Sequence, residues 1–208
     1  MDTLTITYLG QCGFLIEGEG ARIATDPYLS DYVDKLLYSE RTPWKRLYPP
    51  PTTLARLRPD AVAISHAHYD HMDPETIGQY LAAGGEAVFA APAPEVPALG
   101  ALGVQKVIEA RAEQPFAVGG ATITPIACAH TQFHTDDQGR FHELSYLIEL
   151  DGNVVFFGGD MSLYDGLAER LACANCHLLL LPVNGRDAAR TENDIIGNID
   201  AAEAAALA

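Results

Sequence analysis

The chain has 208 residues, 48% apolar and 20% charged, the make-up of a globular protein with one domain over residues 1–208 and room for a large core. A net charge of −15 repels polyanions and argues against a nucleic-acid partner. No stretch of about eighteen apolar residues exists to cross a membrane, no leader is read at Met1–Leu4, and the four scattered cysteines suit a reducing cytoplasm, the expected location.

In chain order, Leu4–Tyr8 alternates apolar and polar residues and predicts a strand. Phe14–Ile16 and Arg22–Ala24 flank Gly18-Glu19-Gly20 and read as a hairpin. From Pro27 to Pro51 the pattern breaks. That segment holds Tyr28, Tyr32, Tyr38, Trp44 and Tyr48, and predicts a long loop with one or two helical turns around 31–38, of the kind that closes a pocket or an interface. Ala61–Ile64 follows as a buried strand. Asp73 has the character of an N-cap and Pro74 of a first helical residue, so a helix is expected to about Ala83, ended by Gly84-Gly85. Ala87–Ala90 and Val104–Ile108 are strands on either side of a short helix near Glu95–Leu99.

The second half repeats the plan. Phe116–Val118 and Ala121–Ala127 form a hairpin through Gly119-Gly120, and a polar loop runs from Cys128 to Phe141. Leu144–Leu150 and Val154–Phe157 form another, turned at Asp151-Gly152-Asn153. A short helix at Leu167–Leu171, a buried strand at His177–Val183 and a helix from Asp200 complete the set. Hairpins with interspersed helices, given twice, predict an α/β protein in which two sheets pack together with helices outside.

The chemistry concentrates at Ile64-Ser-His-Ala-His-Tyr-Asp-His-Met-Asp73. His66, His68, Asp70 and His71 fall within six residues, directly after a strand. Burying unpaired imidazoles and carboxylates costs several kcal/mol, roughly, so a divalent cation is the simplest compensation. In a chain leaving a strand, residues i and i+2 face one way. His66 and His68 therefore share one point, while Asp70 and His71 serve a second, an arrangement for two adjacent metals.

The spacing His66-x-His68-x-Asp70-His71 resembles the signature of the metallo-β-lactamase superfamily. That resemblance implies an αββα sandwich of two mixed sheets and a hydrolase with two divalent ions, zinc or manganese. It gives His130 as the third imidazole of the first site and Asp160 as the carboxylate shared by both metals. Asp26 becomes the acid that supports the metal site through hydrogen bonds. Asp70 and Asp160 carry the catalytic roles: a metal-activated water attacks, and Asp70 orients it and relays its proton. Leu181–Asp187 with Ile196-Gly197-Asn198 resembles the branch containing ascorbate-6-phosphate lactonase. The superfamily's last ligating His lies beyond the helix that starts near Asp200, whereas this sequence stops at Ala208. A truncated C-terminal part and a weaker second metal site are expected.

Arg186 and Arg190 are candidates to hold an anionic substrate, with Asn184 and His134 lining the pocket. His142 reads as a surface residue. Cys173-Ala-Asn-Cys176-His177 has the c-type haem spacing, but chance is the better account. The expected substrate is a small anionic ester, lactone or phosphodiester. The rivals are a metal-dependent nuclease and a catalytically silent metal-binding protein; homo-oligomer formation stays open.

Overall fold

The computed structural model describes residues 3–38, 44–193 and 195–208. Strand alternation sets the layers. In the first sheet, β1 (Thr5–Gly10), β2 (Gly13–Glu17), β3 (Arg22–Thr25), β4 (Ala61–Ala63), β5 (Val88–Pro92) and β6 (Val107–Ala110) lie side by side in that order. The pairs β1–β2 and β2–β3 are antiparallel and the rest parallel. Along these strands Ile16, Ile23, Ala61 and Ala63 face inward, while Leu15, Ala24, Val62 and Phe89 face a helical layer.

The second sheet contains β7 (Phe116–Val118), β8 (Ala121–Ala127), β9 (Leu144–Leu150), β10 (Asn153–Phe157) and β11 (Leu178–Leu180), ordered β11-β10-β9-β8-β7. Only β10–β11 is parallel. Its Ile123, Tyr146, Ile148, Val155 and Phe157 meet the inner face of the first sheet in one core. The Tyr146 hydroxyl crosses between the layers and donates to the Ile64 carbonyl at 2.7 Å.

Helices cover both outer faces. Leu54 and Leu57 of α2 (Leu54–Leu57), Ile77 and Tyr80 of α3 (Pro74–Ala82) and Leu99 of α4 (Val96–Ala101) pack on the first sheet. Leu167 and Leu171 of α5 (Leu167–Ala174) pack on the second, with Leu207 of α7 (Ala201–Leu207) beside them. The αββα sandwich is thus the observed architecture. No helix among the described residues is long and apolar enough to cross a membrane.

The helix signals act as read. The Asp73 carboxylate accepts from the Glu75 amide at 3.0 Å with Pro74 at the first position, and Gly84 adopts φ +78° just beyond the helix. Asp200 and Glu203 cap α7 reciprocally. The loop after β3 carries α1 (Tyr32–Leu37), the turns expected at 31–38, while part of that loop, 39–43, lies outside the described residues. Two four-residue helices, α2 and α6 (Ala188–Thr191), went unread because each is too short to show a period. The strand expected at 104–108 begins only at Val107. The buried strand expected at 177–183 is corrected more deeply. It shortens to β11, an edge strand with Leu178 39% exposed, and the chain leaves the sheet at Leu181-Pro182, where proline has no amide to donate.

Candidate metal centre

The ends of β3, β4, β8 and β10 bring the site together. Asp26 follows β3, His66 to His71 follow β4, His130 follows β8 and Asp160 follows β10. Two close approaches weld these turns. The Leu144 amide donates to the Ser65 carbonyl at 3.0 Å. Gly159, at φ +64°, lies so near Ser65 that a Cβ there would stand 2.7 Å from the serine Cβ. Only glycine meets both demands.

One potential ligand atom from each of His66, His68, His130 and Asp160 lies within 4.8 Å of all the others. His66 Nε2 and His68 Nδ1 are 2.8 Å apart. Two ring nitrogens at that separation need a shared proton, or a cation, between their lone pairs. Burial, followed by the neighbouring charge on His71, holds the His66 pKa well below its ordinary value. Burial and then His130 lower that of His68. Both imidazoles are therefore neutral, the form that ligates a metal.

His71 is fully buried and faces acid on both sides. Its Nδ1 stands 2.6 Å from Asp26 Oδ2, so that nitrogen carries the proton and donates it. Asp26 also accepts from the Ser65 amide at 2.7 Å and the Ser65 hydroxyl at 2.5 Å. His71 Nε2 is left buried without a hydrogen-bond partner. It stands 3.4 Å from Asp160 Oδ2 and 3.6 Å from Asp70 Oδ2. Burial pushes the imidazole pKa down, but Asp160, Asp70 and Asp26 outweigh it and hold it well above the ordinary range. Burial likewise works to raise the Asp160 pKa, and the positive His71 outweighs it, keeping the carboxyl well below the usual carboxylate range.

Asp160 Oδ2 is also 3.4 Å from His130 Nε2, so one carboxylate oxygen touches both the His66/His68/His130 group and His71. An orphaned, buried imidazole nitrogen between two carboxylates fits a divalent cation. So does a three-histidine cluster beside a shared acid.

Three neighbours of this centre carried no role in the sequence reading. Ser65 bonds both to Asp26 and, through Oγ, to His66 Nδ1 at 2.9 Å. Gln11 Nε2 donates to Asp70 Oδ2 at 2.9 Å. The Cys12 sulfur lies within 4.8 Å of ligand atoms of Asp26 and His71. Its thiol is pushed well above its ordinary pKa by burial and then by Asp160, so it stays protonated. A two-residue turn at Gln11-Cys12 between two glycines was the one available signal.

The candidate substrate residues are placed differently. Arg186 pairs with Glu203 at 2.5 Å and Arg190 with Asp187. Among 28 acidic residues, the nearest carboxylate takes each guanidinium. Asn184 is exposed beside them. His134 Nδ1 meets Glu143 at 2.9 Å and His142 Nδ1 meets Glu95 at 2.5 Å. His177 Nδ1 accepts the Val154 amide at 3.0 Å, a structural bond at the start of β11.

The sequence model of the Beta-lactamase superfamily domain matches residues 5–208. The chain belongs to that superfamily. An uncharacterized protein of Mycobacterium tuberculosis is 43% identical to this superfamily member over 75 residues, 36% of this chain and 19% of that protein. The match therefore takes in about a fifth of the relative's length. A metal-dependent hydrolase of Methanoregula boonei is 25% identical over 185 residues, 87% of this chain and 70% of that one. Among solved structures, a metallo hydrolase of the archaeon Ignicoccus hospitalis superposes with a TM-score of 0.70 at 22% identity, covering 98% of this chain and 76% of that one. That likeness is one of fold.

Proposed function

We propose that this superfamily member is a metal-dependent hydrolase acting on a small anionic ester, lactone or phosphodiester. A sugar-phosphate-like lactone, as in the ascorbate-6-phosphate lactonase branch, is the leading substrate. The observation that carries the reading is His71 Nε2, buried and without a hydrogen-bond partner between Asp70 and Asp160, on an acid shared with the three-histidine cluster. The hydrolase relatives support it.

His66, His68 and His130 would hold one cation, Asp70 and His71 a second, with Asp160 common to both. The donor set favours zinc, and manganese is the alternative. When bound, the cations supply Lewis acidity toward the substrate oxygen and bring the pKa of water to about 7. With a cation bound, Asp26 would hold the remaining His71 proton on Nδ1, and Nε2 would offer its lone pair to the cation. Asp70, partly exposed, takes the proton of the attacking water and passes it to the leaving group.

A second substrate reading has its own observation. Tyr69, Phe133 and Leu163 are exposed, on the segments after β4, β8 and β10 that carry Asp70, His130 and Asp160. Such a rim favours a substrate with an apolar chain attached to the scissile group.

One experiment tests both. The chain is stripped of metal, reloaded with zinc or manganese, and assayed on lactones, short- and long-chain esters and an aryl phosphodiester. Turnover should appear on at least one class and vanish in His68→Ala and Asp160→Ala. Wild type no faster than those variants on every substrate would sink the enzyme reading. A preference for long-chain esters would select the second substrate class.

A further inference from the structure

We propose that Gln11 is a positioning residue that holds Asp70 at the cation centre, an inference resting on the metal-dependent reading above. Gln11 stands at the first corner of the two-residue turn joining β1 to β2, where Gly10 pairs with Gly13. Its φ is +53°, in the left-handed region. Hairpin corners of this kind are taken by glycine, or by Asn and Asp, because other side chains are strained there. This turn has glycine on both sides, yet the strained corner carries glutamine. A strained residue that the backbone does not require points to a task for its side chain.

The contact supplies that task. Gln11 Nε2 donates to Asp70 Oδ2 at 2.9 Å, across 59 positions of sequence. Against a carboxylate the amide must present its N–H. The same Oδ2 stands 3.6 Å from His71 Nε2, so the bond fixes the oxygen that faces the centre. The turn is itself secured. The Tyr8 hydroxyl donates to the Gln11 carbonyl at 2.8 Å, and Arg46 Nη2 donates to the Leu9 carbonyl at 3.0 Å. Gly10 leaves the space through which that guanidinium passes, since a Cβ there would collide with it. An exposed hydrogen bond adds little to stability, but orientation of a ligating carboxylate is worth about 10–100-fold in metal affinity.

Two variants of the full chain separate positioning from a merely structural role. Gln11→Gly removes both the strain and the donor. Gln11→Met keeps the length and the strain and removes only the donor. Each is titrated with Co(II) and Zn(II) against a chromophoric chelator, with the Co(II) visible spectrum recorded. Gln11→Gly should melt at or above the wild-type temperature. In both variants the most weakly held equivalent should bind about 10–100-fold less tightly, with an altered Co(II) spectrum, while the tightest is unchanged. Affinities within twofold of wild type in both variants would overturn the positioning role. A wild-type protein that binds neither ion would overturn the metal-dependent reading, and this proposal with it.

Discussion

Replacing Asp26 by Asn is the sharpest test of how the centre is prepared. Asp26 is wholly buried and accepts three bonds: Oδ1 from the Ser65 amide, and Oδ2 from the Ser65 hydroxyl and from His71 Nδ1. Its φ is +37°, which Asn tolerates, so the backbone has no reason to move. In Asp26→Asn the Oδ1 bond survives, and the Ser65 hydroxyl can rotate to accept from the new amide. His71 cannot adapt so cheaply. In the metal-free protein the Nδ1–H of the charged ring faces another N–H; with a cation bound, the ring could escape that clash only by moving its remaining proton to Nε2, which removes the lone pair a cation would take. The first outcome leaves a buried donor unpaired, at about 1–3 kcal/mol. The second removes a metal ligand. A folded protein that is less stable by about 1–3 kcal/mol and weaker for zinc by about 10–100-fold is expected. Urea unfolding with chelator present reads the first quantity, and a competition titration with a zinc dye reads the second. Zinc affinity within threefold of wild type, in a variant of unchanged stability, would refute the assignment of the Nδ1–H tautomer to Asp26.

Three further outcomes follow from the same geometry. After chelation, stability should peak near pH 6.5, roughly, the ordinary histidine value. Below that pH the unfolded chain takes up protons that neutral His66 and His68 refuse, so stability falls on acidification. Above it the folded chain keeps a proton on His71 that the unfolded chain loses, so stability falls again by up to about 1.4 kcal/mol per unit; urea midpoints rising steadily through pH 8 would contradict this. Gly159→Ala forces a Cβ against Ser65 at φ +64° and should cost about 2–4 kcal/mol by chemical denaturation, against less than 1 kcal/mol, roughly, for Gly100→Ala, where nothing lies within 4 Å. Arg186→Ala should leave turnover and substrate KM unchanged, because its guanidinium is committed to Glu203; a large rise in KM would restore Arg186 as a substrate residue.

How far the sequence alone reaches depends on how local each signal is. His66, His68, Asp70 and His71 were legible because four ligand types crowd one strand exit. His130 and Asp160 each stand alone after a strand, and only the superfamily resemblance attached them to the cluster. The hold of Asp26 on Ser65 and His71 is made across 39 and 45 positions, and no pattern along the chain encodes it. The partners of Arg186 and Arg190 were not legible, because guanidinium chemistry is read from residue type, whereas the partner is set by which acid lies nearest. Leu178–Leu181 misled for a related reason. An apolar run states that a strand is favourable, but not whether its sheet continues beyond it, and here β11 is the edge.

The two halves of the centre are held by different means, and the difference has a chemical consequence. His66 hangs from a segment locked on every side. The Ser65 amide is bound to Asp26, the Ser65 carbonyl accepts from Leu144, and the Ile64 carbonyl accepts from Tyr146 in the buried core between the sheets. Asp70 is partly exposed, and the hold on its Oδ2 comes from one amide on a strained turn, itself secured by Tyr8 and by the Arg46 guanidinium. The hold on His66 makes no use of Arg46, whereas the hold on Asp70 does, through the Gln11 turn. On the proposed mechanism Asp70 is also the residue that moves the proton. The acid that must exchange protons with substrate and solvent therefore sits on the adjustable side of the centre, and the ligands that need only hold a cation sit on the rigid side. Perturbing Arg46 should accordingly reach the chemistry through Asp70 while leaving the histidine cluster, and the fold beneath it, intact.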